Sequence, residues 1–205
     1  MDKSNRILQT IMEMFPDASC ELNYTNHYEL LVAVVLSAQT TDKRVNEVTK
    51  VLFKKYPTVS HLSNSNYDEV YEIIKSLGLA KTKTSNIINL SKALLEKHQG
   101  IVPKTKKELE ALPGVGRKTA NAVLMEGFRI PAIAVDTHVS RVSNRLGLSN
   151  SNDVKIIEKD LEKLYDKKDY YFVHHGLLFF GRYHCLAKNP KCAFCKLKDI
   201  CTYKK

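Results

Sequence analysis

The most informative stretch of this sequence is residues 112–120, which read LPGVGRKTA between two segments of helical pattern. Pro113 is expected to end the first helix, and Gly114 and Gly116 permit positive φ angles and a close approach of the backbone to a ligand. Their amides can then point outward beside the N-terminus of the second helix, which is a favourable position for a phosphate. A plain helix–helix turn is the alternative, but two basic residues after the glycines favour a phosphate-binding hairpin.

Helical patterns continue on both sides of this stretch and predict an all-α fold. Residues 28–38 are apolar on nearly every side, which predicts a buried central helix. The VAVV run inside it would also suit a strand, but no neighbouring segment offers a partner with period two. Apolar residues at three- and four-residue spacing predict the other helices. These are expected at residues 6–15, 42–56, 67–77, 81–98, 105–112, 117–128, 137–146, 153–165 and 169–181.

The composition excludes several classes of protein. The chain has 205 residues, of which 43% are hydrophobic and 26% charged, as in ordinary globular proteins. Its longest apolar run, residues 30–36, is far too short to cross a membrane. The first residues lack the basic and then apolar layout of a signal peptide. An intracellular location is therefore expected.

The charge balance points to a polyanionic partner. There are 32 basic and 22 acidic residues, which gives a formal net charge of +10. Basic side chains that neutralise phosphates release counterions and so favour binding to nucleic acid. A solvated lysine-rich surface is the alternative explanation of the same excess.

Two residues near the hairpin are candidates for chemistry. Lys118 lies in the first turn of the second helix, where the helix dipole opposes a cation and favours the neutral amine that attacks carbon. Asp136 stands where an apolar run stops and a helix begins, which predicts an N-cap. A carboxylate held by amides is also a fixed charge that could stabilise a developing cation or handle a proton. His138 is expected to pack or to orient its neighbours.

Four of the five cysteines crowd into the end of the chain with the spacing C-x6-C-x2-C-x5-C, formed by Cys185, Cys192, Cys195 and Cys201. An intracellular chain should not hold them as disulfides. Four thiolates in a short loop suit a tetrahedral zinc or an iron–sulfur cluster, and the spacing leaves both open. A set of buried structural thiols is the remaining alternative. Cys20 lies outside the set and is expected to be an inert core thiol.

Taken together, LPGVGRKTA, VDTHVSR and the cysteine spacing resemble the endonuclease III family of DNA glycosylases over essentially the whole chain. The resemblance implies a helix-hairpin-helix DNA glycosylase fold, in which two all-α domains flank a DNA-binding cleft. One domain would span residues 20–130, with the hairpin near 105–128. The other would combine residues 1–19 with 131–205 and would carry a cluster loop at 185–201.

The resemblance also implies an activity. Relatives of this kind are bifunctional base-excision repair enzymes, which remove oxidised or damaged pyrimidines and cleave 3′ to the abasic site by β-elimination. Lys118 would form the Schiff base, and Asp136 would assist it from the other side of the cleft. The partner would be double-stranded DNA with a damaged pyrimidine or an abasic site, bound by a monomer at the nucleoid. All four C-terminal cysteines would hold a [4Fe–4S] cluster with a mainly structural role.

Two further positions match motifs of the family. Gln39, in LSAQTTD, would fill the gap left by the flipped base, and Leu79, in IKSLGL, would act as an apolar wedge. The alternatives are a polar residue at a helix end for Gln39 and a loop anchor for Leu79. The hairpin would supply the other DNA contacts, from Gly114, Val115, Gly116 and Arg117.

Departures from the family pattern are modest, and two rival functions remain. Ala80 and Lys81 replace a Tyr-Asn pair of some relatives, and Gly176 and Phe180 replace bulkier or polar residues. An adenine-mismatch glycosylase of the same superfamily would lack the nucleophilic lysine and would usually continue past Lys205 into a further domain. A non-catalytic DNA-binding protein would use the hairpin for phosphates and the cysteines for zinc.

Overall fold

The structure is a computed structural model that describes residues 2–203; Met1, Lys204 and Lys205, at the ends of the predicted 1–19 plus 131–205 domain, lie outside them. Every regular element within the described part is helical, which confirms the predicted all-α fold. The α-helices in chain order are α1 Lys3–Met14, α2 His27–Leu36, α3 Asp42–Lys55, α4 Val59–Ser63, α5 Tyr67–Ile74, α6 Ala80–His98, α7 Lys106–Glu110, α8 Arg117–Phe128, α9 Thr137–Leu146, α10 Val154–Leu164 and α11 Tyr170–Phe179. In residues 2–203 no helix is both long and apolar enough to span a bilayer.

The chain divides into two compact units. A continuous unit comprises Glu21–Ile130, and a terminal unit combines the residues up to Cys20 with those from Pro131 onward. The hairpin and helices α2 to α8 belong to the continuous unit. Helix α1, helices α9 to α11 and the four clustered cysteines belong to the terminal unit.

Helix α2 forms the centre of the continuous unit. Its residues 30–36 are all buried, and the helix packs against α3, α6 and α8. Because a helix surrounded on all sides needs no polar face, the continuous apolar run is explained, and the prediction of a buried central helix is confirmed. The side chain of Asn26 begins the helix by accepting a hydrogen bond from the Glu29 amide at 2.9 Å.

The terminal unit is built from both ends of the chain. Ile7 and Ile11 of α1 are fully buried in its core, together with Phe180. At Gly176 of α11 a Cβ atom would lie 2.9 Å from Ile11 Cγ2, so the close contact between these two helices requires a glycine. The departures at Gly176 and Phe180 are therefore part of this core. Tyr165 Oη also donates a hydrogen bond to the Ser4 carbonyl at 3.1 Å, which fixes α1 in place.

Most helices differ from their predicted bounds by one to three residues, and the clearest departures from the predictions are the following. Helix α4 (Val59–Ser63) was not predicted, and the helix expected at 105–112 ends already at Glu110. The earlier end has a physical reason, since a proline disfavours helical geometry in the residue before it, here Leu112. The helix expected at 169–181 is α11, which passes into a π-helical turn at Phe180–His184. This turn closes with a 2.6 Å hydrogen bond from the Cys185 amide to the Phe180 carbonyl.

Candidate active site and nucleic-acid interface

The two glycines of the hairpin have different conformations. Gly114 has a φ of +77°, and a Cβ atom there would lie 2.8 Å from Asn86 Cβ on α6, so only glycine fits. Gly116 has a φ of −96° in extended geometry, which any residue can adopt, so the expectation of positive φ is wrong for this glycine. Val115, between them, is only 6% exposed. Val115 is one of the predicted DNA contacts. Because its side chain is buried, it can contact DNA only through its main chain.

The N-terminus of α8 is open. Gly116 is its N-cap and provides no capping side chain, and a Cβ atom at Gly116 would meet no described atom within 4 Å. Most other helices of residues 2–203 begin with a side-chain oxygen bound to a first-turn amide, as at Asn26 and Asp136. An external anion can take the corresponding position at α8, because first-turn amides and the helix dipole favour negative charge. Arg117 and the exposed Lys118 are the first two residues of this helix, as predicted.

Asp136 is the N-cap of α9, which confirms that structural prediction. Its Oδ1 atom accepts hydrogen bonds from the amides of His138 and Val139, each at 2.8 Å. The residue is half-buried and follows the buried Ile133 and Val135. The carboxylate is therefore held in one orientation at the surface of the terminal unit.

Arg141, one turn further along α9, has a role that the sequence did not reveal. Its Nη2 atom donates to the Gly181 carbonyl at 2.7 Å and lies 3.2 Å from His138 Nδ1. Burial lowers the pKa of Arg141, the charge of Arg145 adds to this effect, and Cys185 and Asp136 oppose it. A guanidinium stays protonated despite such a shift. The Gly181 carbonyl lies forty residues away in sequence, so no local pattern could have predicted this hydrogen bond.

Gln39 and Leu79 both adopt left-handed backbone conformations, with φ angles of 54° and 60°. Left-handed non-glycine residues are ordinary at helix C-termini, as at Gln99 and Arg129, but Leu79 begins a helix and Gln39 follows α2 by three residues. Both side chains are exposed, Leu79 by 55%. A bulky residue in this region is strained, and such strain is concentrated at functional sites. Gln39 thus lies three residues beyond the end of α2, and Leu79 is exposed at the start of α6.

The loops that carry these two residues lie side by side. A Cβ atom at Gly78 would be 3.3 Å from the Gln39 carbonyl oxygen, and Lys83 Nζ donates a hydrogen bond to Thr40 Oγ1 at 2.8 Å. The structure thus brings together two residues that are forty positions apart in sequence.

The four C-terminal cysteines lie near the end of α9. Cys185 Sγ accepts a hydrogen bond from Arg145 Nη1 at 3.5 Å, and Cys201 Sγ donates one to the Arg145 carbonyl at 3.1 Å. Burial raises the pKa of the Cys195 thiol, and so do the neighbouring thiols of Cys201, Cys185 and Cys192. All four cysteines are half-buried, and Cys195 lies within electrostatic reach of the other three.

The chemistry of this donor set, four cysteine thiols in one short loop, fits an iron–sulfur cluster. In residues 2–203, no group of three or more His, Cys, Asp or Glu side chains has the geometry to hold a single ion. The thiolates of a [4Fe–4S] cluster bind four separate iron atoms and need not converge on a point. Cys20, in contrast, is half-buried and lies outside the core, so the expectation of a core thiol is wrong.

Comparison with known proteins agrees with this arrangement. Residues 32–167 match the family described as HhH-GPD superfamily base excision DNA repair protein. The chain is 51% identical to endonuclease III of Bacillus subtilis over 195 residues, which cover 95% of this chain and 89% of the relative. It is 44% identical to endonuclease III of Haemophilus influenzae over 206 residues, which cover 100% and 98% of the two chains.

A solved structure shows the same fold. The chain matches a trapped endonuclease III–DNA covalent intermediate, in an estranged-adenine complex, with a TM-score of 0.95 and 47% sequence identity. The match covers 98% of this chain and 96% of that one. The resemblance inferred from LPGVGRKTA, VDTHVSR and the cysteine spacing is confirmed: the chain belongs to the HhH-GPD superfamily of base excision DNA repair proteins and, within it, to the endonuclease III family.

Proposed function

We propose that this protein is a bifunctional base-excision repair enzyme, which removes oxidised or damaged pyrimidines and then cleaves the DNA 3′ to the abasic site. The observation that carries the proposal is the position of Lys118, an exposed amine beside the uncapped N-terminus of α8. Membership of the endonuclease III family supports it, and one relative of similar fold has been trapped in a covalent intermediate with DNA. Such an enzyme works inside the cell, on the nucleoid.

The first step is binding to double-stranded DNA, which we expect of a monomer. A backbone phosphate would lie at the N-terminus of α8, held by main-chain amides of the hairpin from Gly114 to Gly116 and by Arg117. The net charge of +10 would strengthen this binding and make it fall steeply with added salt.

The second step is extrusion of the damaged base from the helix. Gln39 would occupy the space that the base leaves, and Leu79 would separate the neighbouring bases as an apolar wedge. Their exposure and their left-handed backbones support this role, because such strain persists where function requires it.

The chemistry would begin when the neutral amine of Lys118 attacks C1′ of the sugar. A bond forms between the lysine nitrogen and C1′, while the glycosidic bond breaks and the base leaves with its electron pair. The carboxylate of Asp136, held by two amides, would stabilise the positive charge that develops on the sugar.

The same intermediate would then cut the strand. The sugar ring would first open: the C1′–O4′ bond breaks, O4′ takes up a proton, and C1′ forms a double bond to the lysine nitrogen. The resulting protonated Schiff base acidifies the C2′ proton, and loss of that proton expels the 3′ phosphate by β-elimination. Water finally hydrolyses the Schiff base and releases Lys118. Glycosylase and lyase activities would therefore share one lysine.

Cys185, Cys192, Cys195 and Cys201 would hold the [4Fe–4S] cluster. When bound, it would supply a rigid cross-link within the cysteine loop rather than a reactive group. Arg145, which donates to Cys185 Sγ and to the carbonyls of Leu186 and Ala187, would keep this loop against α9.

The test uses a duplex with a single oxidised pyrimidine, in the presence and absence of borohydride. We expect release of the damaged base, a nick on its 3′ side and a covalent protein–DNA adduct after reduction. Binding without base release or a nick would instead indicate a non-catalytic DNA-binding protein. A second duplex with a mismatched adenine tests the remaining alternative, because release of that adenine without a nick would indicate an adenine-mismatch glycosylase.

A further inference from the structure

Lys83 is a buried lysine that the mechanism above does not use. It lies in the first turn of α6 and is only 3% exposed. Burial lowers the pKa of Lys83, and no carboxylate in residues 2–203 forms an ion pair with it. A cation at this end of a helix also opposes the helix dipole. Burying the amine of Lys83 therefore costs folding free energy, and an apolar side chain of similar length would cost less.

Within residues 2–203, the ammonium group donates one hydrogen bond, which joins the start of α6 to the Gln39 loop. Lys83 Nζ donates to Thr40 Oγ1 at 2.8 Å, across forty-three positions of sequence. Thr40 directly follows Gln39, and the Lys83 amide donates to the Leu79 carbonyl at 3.0 Å. One side chain thus links the residue after Gln39 to the helical turn that begins at Leu79.

We propose that Lys83 is a positioning residue that couples the Gln39 loop to the start of α6, so that Gln39 and Leu79 enter the DNA helix as one rigid element. The proposal rests on the proposed function, in which these two residues fill and wedge the base stack. Two independent loops would each lose conformational freedom on entering the DNA, whereas coupled loops arrive already ordered. Gly78 also lies close to the Gln39 carbonyl, since a Cβ atom at Gly78 would be 3.3 Å from that oxygen.

The test compares cleavage of a pre-formed abasic site in duplex and in single-stranded DNA. Both substrates need the lysine chemistry, but only the duplex has a base stack to be filled. Lys83→Met and Thr40→Val should slow duplex cleavage about tenfold, the effect of one hydrogen bond to a charged group. The rate on single strands should stay within about twofold of wild type, the usual limit of indirect effects.

Two matched controls separate coupling from general damage. Thr40→Ser keeps the hydroxyl acceptor and should cleave duplex DNA like wild type. Lys92→Met removes an exposed lysine from the same helix and should do likewise. Adding Lys83→Met to Gln39→Ala should cause little further loss on the duplex, because both changes disable the same element.

The proposal is overturned if Lys83→Met cleaves duplex DNA normally, if it loses activity equally on both substrates, or if its effect multiplies fully with that of Gln39→Ala. Failure of the proposed function would look different. In that case the wild type and the Lys92→Met control would also cleave neither substrate, and the coupling role would fall with it.

Discussion

Gly114 lies directly against Asn86, so closely that a Cβ atom on the glycine would come within 2.8 Å of the asparagine Cβ. The contact attaches the hairpin to α6, while Gly116, two residues later, faces open space. The two glycines of the GVG sequence therefore have different roles. Gly114 fixes the hairpin against α6, and Gly116 leaves the N-terminus of α8 accessible to an anion.

We expect Gly114→Ala to destabilise the fold. The alanine would have to hold a φ of +77° and displace Asn86. Strain of this kind lowers the free energy of unfolding by about 1–3 kcal/mol. Denaturant titration measures this loss. An unchanged unfolding midpoint would mean that the hairpin is not held through this contact.

We expect Gly116→Ser to stabilise the fold and to weaken DNA binding. Its φ of −96° suits serine, whose hydroxyl would cap α8 and stabilise it by a few tenths of a kcal/mol. The same hydroxyl would compete with a DNA phosphate, so affinity should fall by about three- to fivefold, in line with the loss of an anion at a helix end. Fluorescence anisotropy at constant salt measures the affinity. Equal or tighter binding would show that no phosphate occupies this position.

Lys118→Ala should abolish the borohydride-trapped adduct and slow strand cleavage by more than about a thousandfold, as when a nucleophile is removed. DNA binding should change little, because the hairpin amides remain. Lys92→Ala, which removes another exposed lysine, is the control and should still be trapped. Persistent trapping of the Lys118→Ala variant would assign the nucleophile to another amine.

Asp136→Asn separates chemistry from helix capping. Asparagine caps a helix as well as aspartate does, so the free energy of unfolding should stay within about 0.5 kcal/mol of wild type. Base removal should slow on the order of a hundredfold, because the carboxylate charge is lost. Asp136→Ala would lose the cap as well, at a cost of about 1 kcal/mol. Single-turnover excision measures the rate, and an Asn variant of normal speed would leave Asp136 with a purely structural role.

Cys201→Ser should reduce the iron bound by the purified protein and destabilise the terminal unit, since a cluster ligand and its contact to the Arg145 carbonyl are both altered. Cys20→Ser is the matched control and should keep its iron. Metal and sulfide analysis distinguishes the outcomes. Zinc in the wild-type protein, with no iron, would refute the cluster assignment.

The helices predicted best from the sequence are those whose ends are marked by a recognisable local motif. Helix α8 begins after Gly116 and α9 after Asp136, and both match the expected bounds at each end. The π-helical turn after Phe179 was missed because its cause is tertiary: Arg141 of α9 binds the Gly181 carbonyl. A short helix such as α4 has too few residues for a periodic pattern.

In the candidate site, too, features set by local sequence could be predicted, and features set by tertiary contacts could not. Lys118 and Asp136 follow local signals, and the structure has them at the helix ends that the sequence predicted. The left-handed backbones of Gln39 and Leu79 could not be predicted, since neither residue type favours that conformation. The bond between Lys83 and Thr40 joins residues forty-three apart, and no spacing rule connects them.

The terminal unit also dictates an order of events during synthesis. Helix α1 is made first, yet Ile7 and Ile11 are buried by residues that leave the ribosome only after the whole continuous unit. The Arg6–Asp199 ion pair, at 2.8 Å, can form only after residue 199 has been synthesised. Domains fold as units while the chain emerges, so the Glu21–Ile130 unit can fold first. During that time the apolar face of α1 stays exposed to solvent. A nascent chain halted before Pro131 should therefore carry a folded hairpin and an undocked first helix, open to chaperones.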